Sequence, residues 1–441
     1  MTETKLKEQV DERQFAGLVQ TQGEVFFKLS NTLLAQDGAG APDVCWTKKH
    51  YFQLISEADD LESFLDDYGA RYNRTYAYLT ELIASLRWFA YSGYSISHVL
   101  GRMASYGRDM WESDEARTEA EAALREGQTF LRMSAIQLLE AIREETSELG
   151  VEITPEAFPE SNFYAVTVRR QLPRTVGEAE LLHEEQKIAE VATKYLQAAA
   201  MVAETGVRQI ADAEERHKFF SAVCTEARAR VYESTVHNLQ STYDTHVQNT
   251  VLEGKDARLP RLRGHASAAL HLLEAVTYLA HFAERHENET RSEEAKQRLA
   301  QVIDRCDVER VTLNTFLYWA HRMLQNGVSV AEDLLPEYTN VQELEVSLSD
   351  GLALHARPAA LVVGIVNHHG TPVEMEVANK RCNAGSILEL LVTVGSNPRE
   401  ESFVFRGDER PLRDIRLLFE SALGENGLEH LPSELDYLRE S

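Results

Sequence analysis

The residues best suited to chemistry lie in one short stretch, Leu354–His355–Ala356–Arg357–Pro358–Ala359–Ala360. Proline is favoured in the first turn of a helix, and an apolar helical pattern follows directly. We therefore expect His355 at or just before a helix N-terminus, where partial positive charge and unpaired N–H groups favour an anion. Arg357 adds a guanidinium that can bind a phosphate oxygen, and a neutral imidazole is a nucleophile near neutral pH. The stretch predicts a phosphoryl acceptor.

The charge around this stretch differs from that of the whole chain. The protein carries a formal net charge of −26, yet no Asp or Glu occurs from Gly351 to Val373, and Arg357 is the only Lys or Arg there. A group that accepts a phosphoryl from an anionic donor benefits from such surroundings. The alternative interpretation is a histidine that only caps a helix or faces solvent.

The elements that must position His355 follow a mixed pattern. Apolar residues suggest strands at about 341–348, 373–377 and 402–405, with a short strand after the second of these. Helical patterns occupy about 358–368, 386–393 and 411–423. The predicted order is strand, helix, strand, short strand, helix, strand, helix, which is an α+β layer.

Residues 341–423, approximately, resemble HPr, the histidine-containing phosphocarrier of the bacterial sugar phosphotransferase system. The resemblance rests on the stretch around His355, on Ser386–Ile387–Leu388–Glu389–Leu390–Leu391, and on the separation of His355 from Ser386. It covers under a quarter of the chain, and we recognise no family in the rest. It implies a four-stranded sheet covered by three helices, an open-faced sandwich. It also implies that His355 takes a phosphoryl group from enzyme I and passes it on, with Arg357 stabilising the phosphate.

Ser386 has two interpretations. Ser386-x-x-Glu389 ahead of an apolar pair is a capping box, in which hydroxyl and carboxylate satisfy backbone N–H groups at a helix start. The resemblance implies a second role, as a serine phosphorylated by a regulatory kinase. Leu388, Leu390 and Leu391 are expected in the core, although one or more could form an apolar docking surface beside His355.

The rest of the chain predicts helices. We expect one helical bundle at 1–150, a linker or boundary at 151–175 and a second bundle at 176–335, with three or four helices in 46–148 and a last helix at about 292–325. Pro336, with the acidic Glu332, Asp333 and Glu337, predicts a linker into an HPr-like domain at 341–424. An acidic extension follows at 425–441. The predicted fold class is multidomain and mostly α, with helical bundles followed by an α+β, HPr-like open-faced sandwich.

The helical region contains one candidate metal motif. Glu180-x-x-His183 and Glu214-x-x-His217 resemble the ligand pattern of di-iron carboxylate bundles. The stronger interpretation is chance, because His217 lies in a charged run typical of a solvated helix face. We therefore predict no metal and no cofactor. No Gly-rich phosphate loop or catalytic constellation indicates a stand-alone enzyme.

The composition of the chain argues against several classes of protein. Acidic residues outnumber basic ones by 71 to 45, which argues against nucleic-acid binding. No apolar run approaches the roughly 20 residues of a membrane span. Four scattered cysteines and a charged start without an apolar signal region predict a cytoplasmic protein.

These observations lead to one hypothesis and two alternatives. The hypothesis is a regulatory phosphocarrier, in which the phosphorylation state of His355 is read by the helical module. The expected partners are an enzyme I-like donor, a downstream phosphoryl acceptor or regulatory target, and a serine kinase for Ser386. One alternative is a simple relay carrier whose helices serve assembly. The other is a scaffold whose HPr-like domain binds partners without phosphotransfer.

Overall fold

The computed structural model describes residues 9–38, 46–103, 107, 110–163, 184–285, 292–349 and 352–439. In these ranges the chain is mostly helical and has one small antiparallel sheet of four strands. The coarse prediction of a multidomain, mostly-α protein is confirmed. Contacts divide the chain into two compact units that are each discontinuous in sequence: 1–173 with 202–235 and 267–323, and 174–201 with 236–266 and 324–441. Their bounds differ from those of the sequential bundles predicted at 1–150 and 176–335.

The described part of the chain before the sheet is mostly helical. Its helices are α1 (Glu12–Gln22), α2 (Glu24–Gly38), α3 (Lys48–Asp67), α4 (Ala77–Met103), α5 (Asp114–Glu148), α6 (Glu184–Ala203), α7 (Ala213–Val223), α8 (Glu226–His246), α9 (Val251–Lys255), α10 (Arg258–Arg285), α11 (Glu293–Val302), α12 (Arg305–Val311) and α13 (Tyr318–Tyr338). None of these helices is both long and apolar enough to cross a membrane.

In the first unit, α4 packs against both α3 and α5. Most of its side chains are buried, including Leu82, Leu86 and Phe89. Gly93 of α4 lies against the ring of Tyr51, where an added Cβ would be 2.2 Å from Cε1. Glycine thus permits a contact that any larger residue would block. The expectation of three or four helices in 46–148 is confirmed.

The single helix predicted at about 292–325 is wrong, because the chain breaks it at Ile303 and its second part continues to Tyr338. Ile303 is extended, and the side chain of Asp304 accepts the backbone N–H of Cys306 at 2.8 Å, which starts α12 afresh. A π-helical segment, Thr312–Leu317, then joins α12 to α13 without a break, since Thr312 and Tyr318 both keep helical backbone angles. Apolar spacing does not reveal such a break, since both segments keep a helical period.

The linker predicted at Pro336 is also wrong, because α13 continues through it to Tyr338. The proline costs one helical hydrogen bond, but tertiary contacts hold the last turn. Glu337 accepts from Nη1 of Arg258 at 2.8 Å, and the hydroxyl of Tyr338 donates to Asp256 at 3.2 Å. The helix therefore leads almost directly into the first strand.

The sheet follows in the predicted order of elements. Its strands are β1 (Val341–Ser347), β2 (Val373–Val377), β3 (Lys380–Asn383) and β4 (Ser402–Asp408), and its helices are α14 (Ala356–His369), α15 (Ile387–Gly395) and α16 (Glu409–Glu420). The strands lie in the spatial order β1-β4-β2-β3 and every pair is antiparallel. α16 packs against β1 and β4, α15 packs against β2 and β3, and α14 packs against both helices.

The core of this domain lies between the sheet and its helices, and it includes the chain after α16. Leu431, Leu435 and Leu438 are buried in the same apolar cluster as Phe403 and Phe405. Leu431 directly follows a short 3-10 segment, Leu428–His430, and the other two leucines belong to a second one, Ser433–Arg439. Residues 425–441 were predicted as an acidic extension, and their described part packs as an integral layer of the domain.

Candidate functional site

His355 is the N-cap residue of α14. Its Nδ1 accepts the backbone N–H of Arg357 at 3.4 Å, and its carbonyl accepts the first helical bond from Ala359 at 3.0 Å. Leu354 and Ala359, on either side of it, are buried in the core. The imidazole is 55% exposed, so the ring is accessible to solvent although both of these neighbours are buried.

Arg357 lies in the first turn of α14 and is exposed. Within the described ranges no carboxylate forms an ion pair with its guanidinium. A planar cation without a competing partner can make two hydrogen bonds to a phosphate oxygen pair. The N–H of Arg357 already donates to Nδ1 of His355 and Pro358 has no N–H, so the anion-binding character beside His355 comes mainly from this guanidinium and from the positive end of the helix dipole.

The carboxylate of Glu425, a residue that follows α16, lies next to His355. Oε1 of Glu425 lies 3.2 Å from Nε2 of His355, and the Glu425 side chain is 30% exposed. The stretch without acids is therefore a property of the sequence and is not preserved in space. The predicted acid-free surroundings of His355 are therefore wrong, because the chain after α16 returns to the N-terminus of α14.

An unusual turn brings Glu425 to this place. Ala422, Leu423 and Gly424 have φ values of 50°, 55° and 71°, three successive residues in the left-handed region. For the first two this conformation costs about 1–2 kcal/mol each. Burial of Leu423, which is 0% exposed, offsets that cost. The sequence held no signal for this turn, since neither alanine nor leucine favours positive φ.

Ser386 caps α15, but the predicted capping box is only half formed. Its hydroxyl accepts the backbone N–H of Glu389 at 3.4 Å. The Glu389 carboxylate accepts the N–H of Asn383 at 3.0 Å, in place of that of Ser386. The amide of Ser386 is instead used by a turn to the carbonyl of Asn383, at 3.1 Å. The serine is half-buried, so its hydroxyl is close to the surface.

The leucines of α15 face different ways. Leu390 is fully buried and Leu391 packs partly against the core, as predicted. Leu388 is 70% exposed, which makes its placement in the core wrong. With Ile387 and Val392, also exposed, it forms an apolar strip on α15 next to Ser386. Helical spacing puts Leu388 opposite Leu390, so only one of the two can face the sheet.

The candidate metal motif has no support among the described residues. Glu180 and His183 lie outside them. Nδ1 of His217 is 2.9 Å from Oε1 of the buried Glu309, which gives this histidine a hydrogen-bond partner within the fold. No group of three or more potential ligands with metal-binding geometry occurs in the described ranges.

Sequence reasoning missed a buried polar group at the other end of α14. Oδ2 of Asp414 accepts the hydroxyl of Tyr437 at 2.7 Å and lies 2.8 Å from Nε2 of His369. Burial alone would raise the pKa of Asp414, but the bonds from His369 and Tyr437 outweigh it and hold the pKa below its usual value. The ring of His368 stacks on that of Tyr437 at 3.6 Å between centroids. Sequence spacing could not have joined residues so far apart.

Compared with known proteins, the chain matches no family model, no curated protein and no solved structure. The kind of site around His355 is therefore inferred from its geometry alone. A half-exposed histidine at a helix start, a guanidinium in the same first turn and a carboxylate near the far ring nitrogen suit transfer of an anionic group.

Proposed function

We propose that residues 341–439 form an HPr-like phosphocarrier domain whose phosphoryl acceptor is His355. The single observation that carries the proposal is the position of His355 as the N-cap of α14, with Arg357 in the first turn. The order of strands and helices and the sheet order β1-β4-β2-β3 support it, since the resemblance implies a four-stranded sheet covered by three helices.

The transfer needs no cofactor. The lone pair of Nδ1 attacks phosphorus, an N–P bond forms, and the bond from phosphorus to the donor breaks with its electron pair leaving on the donor. The phosphoryl oxygens then lie at the start of α14, where the N–H of Arg357, no longer bonded to Nδ1, and the Arg357 guanidinium bind them. Passing the group on to an acceptor reverses these steps.

The helical remainder of the chain supports a regulatory role over simple relay. About 335 residues precede the phosphocarrier domain, and a carrier that only shuttles phosphate needs none of them. A dianionic phosphate on His355 would change the contacts its domain makes, and a helical module could read that change. The partners in this proposal are an enzyme I-like donor, a downstream target and a kinase acting on Ser386, all in the cytoplasm.

Two observations favour the scaffold alternative. The Glu425 carboxylate beside His355 adds a negative charge where an anionic donor must approach, while Ile387, Leu388 and Val392 expose an apolar strip that suits protein docking. A domain that only binds partners would keep this strip and would not need His355.

Incubation with enzyme I and labelled phosphoenolpyruvate separates these functions. We expect acid-labile label on the wild type and none on His355→Ala. His430→Ala is the matched control, because His430 is 68% exposed on the same domain and plays no part in the proposal. Label retained on His355→Ala would refute the acceptor assignment. No label on either, with a donor active on an ordinary HPr, would favour the scaffold.

A further inference from the structure

A cleft lies within the second compact unit, between its helices and the edge of the C-terminal domain. One wall is formed by α6 and α13, with Gln197 and Leu335, and the other by the end of α14 and the segment after it, with Asn367 and Thr371. The cleft encloses about 540 Å³, a volume within the range of small-molecule sites. It lies at the opposite end of α14 from His355, so it is separate from the candidate site described above.

Two contacts between α6 and the end of α14 hold the walls of this cleft in place. Nε2 of Gln186 lies 3.4 Å from Nδ1 of His369. Gly370 has a φ of 65°, and an added Cβ there would be 2.5 Å from Cγ of Glu190. Glycine thus permits both the left-handed conformation and the close approach of α6. A ligand would meet a preformed cleft, which reduces the conformational cost of binding.

The charged residues among the described lining, Lys194, Arg381 and Glu374, are already paired. Nζ of Lys194 lies 2.7 Å from Oε1 of Glu190. Arg381 lies 3.3 Å from the carboxylate of Glu374 and 2.9 Å from that of Glu376. An anionic ligand would have to displace one of these carboxylates, and a cationic ligand would compete with Arg381 for Glu374. The cleft therefore favours a ligand without net charge.

The uncharged polar side chains of the lining are amides and hydroxyls. Gln197, Asn367 and Asn383 contribute amides, and all three residues are exposed. Thr371 is only 1% exposed, and its hydroxyl has no hydrogen-bond partner among the described residues. Buried hydroxyl groups in folded proteins nearly always have a partner. A ligand oxygen bound at this wall would supply the partner that the fold leaves out.

We propose that this cleft binds a small, neutral, polyhydroxylated compound. Each hydroxyl of such a ligand both donates and accepts hydrogen bonds, as do the amide and hydroxyl groups of the lining. Its C–H groups would pack against the apolar part of the lining, which includes Leu196, Val366 and Pro372. The ligand would bridge α6 and the end of α14, and its binding does not depend on the proposed phosphoryl transfer.

Saturation-transfer NMR of the full chain, with sorbitol and glucose as probes, tests the site directly. We expect transfer to at least one of these neutral compounds. Gluconate, which has a similar set of hydroxyls and a carboxylate, should bind more weakly, because Lys194 and Arg381 already have carboxylate partners. No transfer to either neutral probe would overturn the proposal, as would tighter binding of gluconate than of both.

Variants of the two walls locate the binding. Gln197→Leu and Thr371→Val should each weaken it about tenfold, since each removes a hydrogen-bonding group from one wall. Gln248→Leu, which replaces an exposed glutamine elsewhere in the same unit, should bind as the wild type does. Thr371→Val keeps the shape of the side chain, and urea unfolding shows that each variant is folded. Equal affinity of the wild type and all three variants would place the ligand outside this cleft and overturn the proposal.

Discussion

Nε2 of His369 lies 2.8 Å from Oδ2 of Asp414 in the interior of the C-terminal domain, and the same oxygen accepts the hydroxyl of Tyr437. The Asp414 carboxylate, which belongs to α16, thus contacts both α14 and the final 3-10 segment. The start of α14 carries His355, and the chain between α16 and that segment carries Glu425. We therefore expect the hydrogen bonds of Asp414 to fix the position of α14 relative to the chain that carries Glu425.

Replacing Asp414 should destabilise the domain in a pH-dependent way. Because the pKa of Asp414 is lowered in the folded protein, its ionised form contributes stability above the ordinary range of aspartate, and that contribution is lost as the pH falls through the folded value. Asp414→Asn should cost about 1–3 kcal/mol at neutral pH and less at about pH 3. Urea unfolding at both pH values measures this. Asp436→Asn, at an exposed position of the same segment, should cost little at either pH.

Arg357→Gln should slow phosphorylation without unfolding the domain. The guanidinium is exposed, so stability should change by under about 0.5 kcal/mol. The loss of a charged hydrogen bond to the phosphoryl group should lower the initial labelling rate about tenfold. Arg399→Gln removes the same charge from another exposed position and should leave the rate unchanged. Equal rates for the two variants would remove Arg357 from the site.

Substitutions at Ser386 separate its capping role from its proposed regulatory role. Ser386→Ala should cost about 0.5–1 kcal/mol through the lost cap and leave labelling of His355 intact. Ser386→Asp keeps an acceptor for the N–H of Glu389 but puts a charge beside the exposed Leu388, and it should slow labelling from enzyme I. Ser396→Asp places that charge at the other end of α15. Slowing by both aspartates alike would show a general charge effect.

In the first unit, His98 should make stability fall as the pH drops. Burial, followed by the charges of His271, Lys48 and Arg102, lowers the pKa of His98 to about 4, while Glu274 opposes this shift. Between that value and the ordinary value near 6.5, the unfolded chain binds a proton that the folded chain does not. Unfolding free energy should therefore decline from about pH 6.5 to about pH 4.

The variant His98→Gln should flatten this decline whatever its effect on absolute stability. Nζ of Lys48 lies 2.8 Å from Nδ1 of His98, and a glutamine oxygen can accept the same bond. Urea midpoints measured across the pH range give the slope. His430→Gln, at an exposed position, should keep the wild-type slope; an unchanged slope in His98→Gln would contradict the account.

The secondary structure around the site could be predicted because it depends on local sequence signals. Alternation of apolar residues marked β2 and β4, and the order of all seven elements followed. A proline in the first turn placed His355 at a helix start, and Ser386 with Glu389 marked the beginning of α15. Each of these signals depends only on neighbours within one or two turns of chain.

Features set by tertiary contacts could not be read in this way. Glu425 reaches His355 through a left-handed turn at Ala422 and Leu423, residues without preference for positive φ. Pro336 predicts a helix break by local rules, yet distant partners of the last turn keep α13 helical. The packing of the final 3-10 segment had no local signal, because its buried leucines are interspersed with acids.

Phosphorus–nitrogen correlation NMR on ¹⁵N-histidine-labelled protein, after incubation with enzyme I and phosphoenolpyruvate, tests the central claim most directly. The account predicts one phosphoramidate signal, coupled to Nδ1 of His355 and missing from His355→Ala. A phosphate ester at Ser386, a phosphoramidate that persists in His355→Ala, or no signal with an active donor would contradict it.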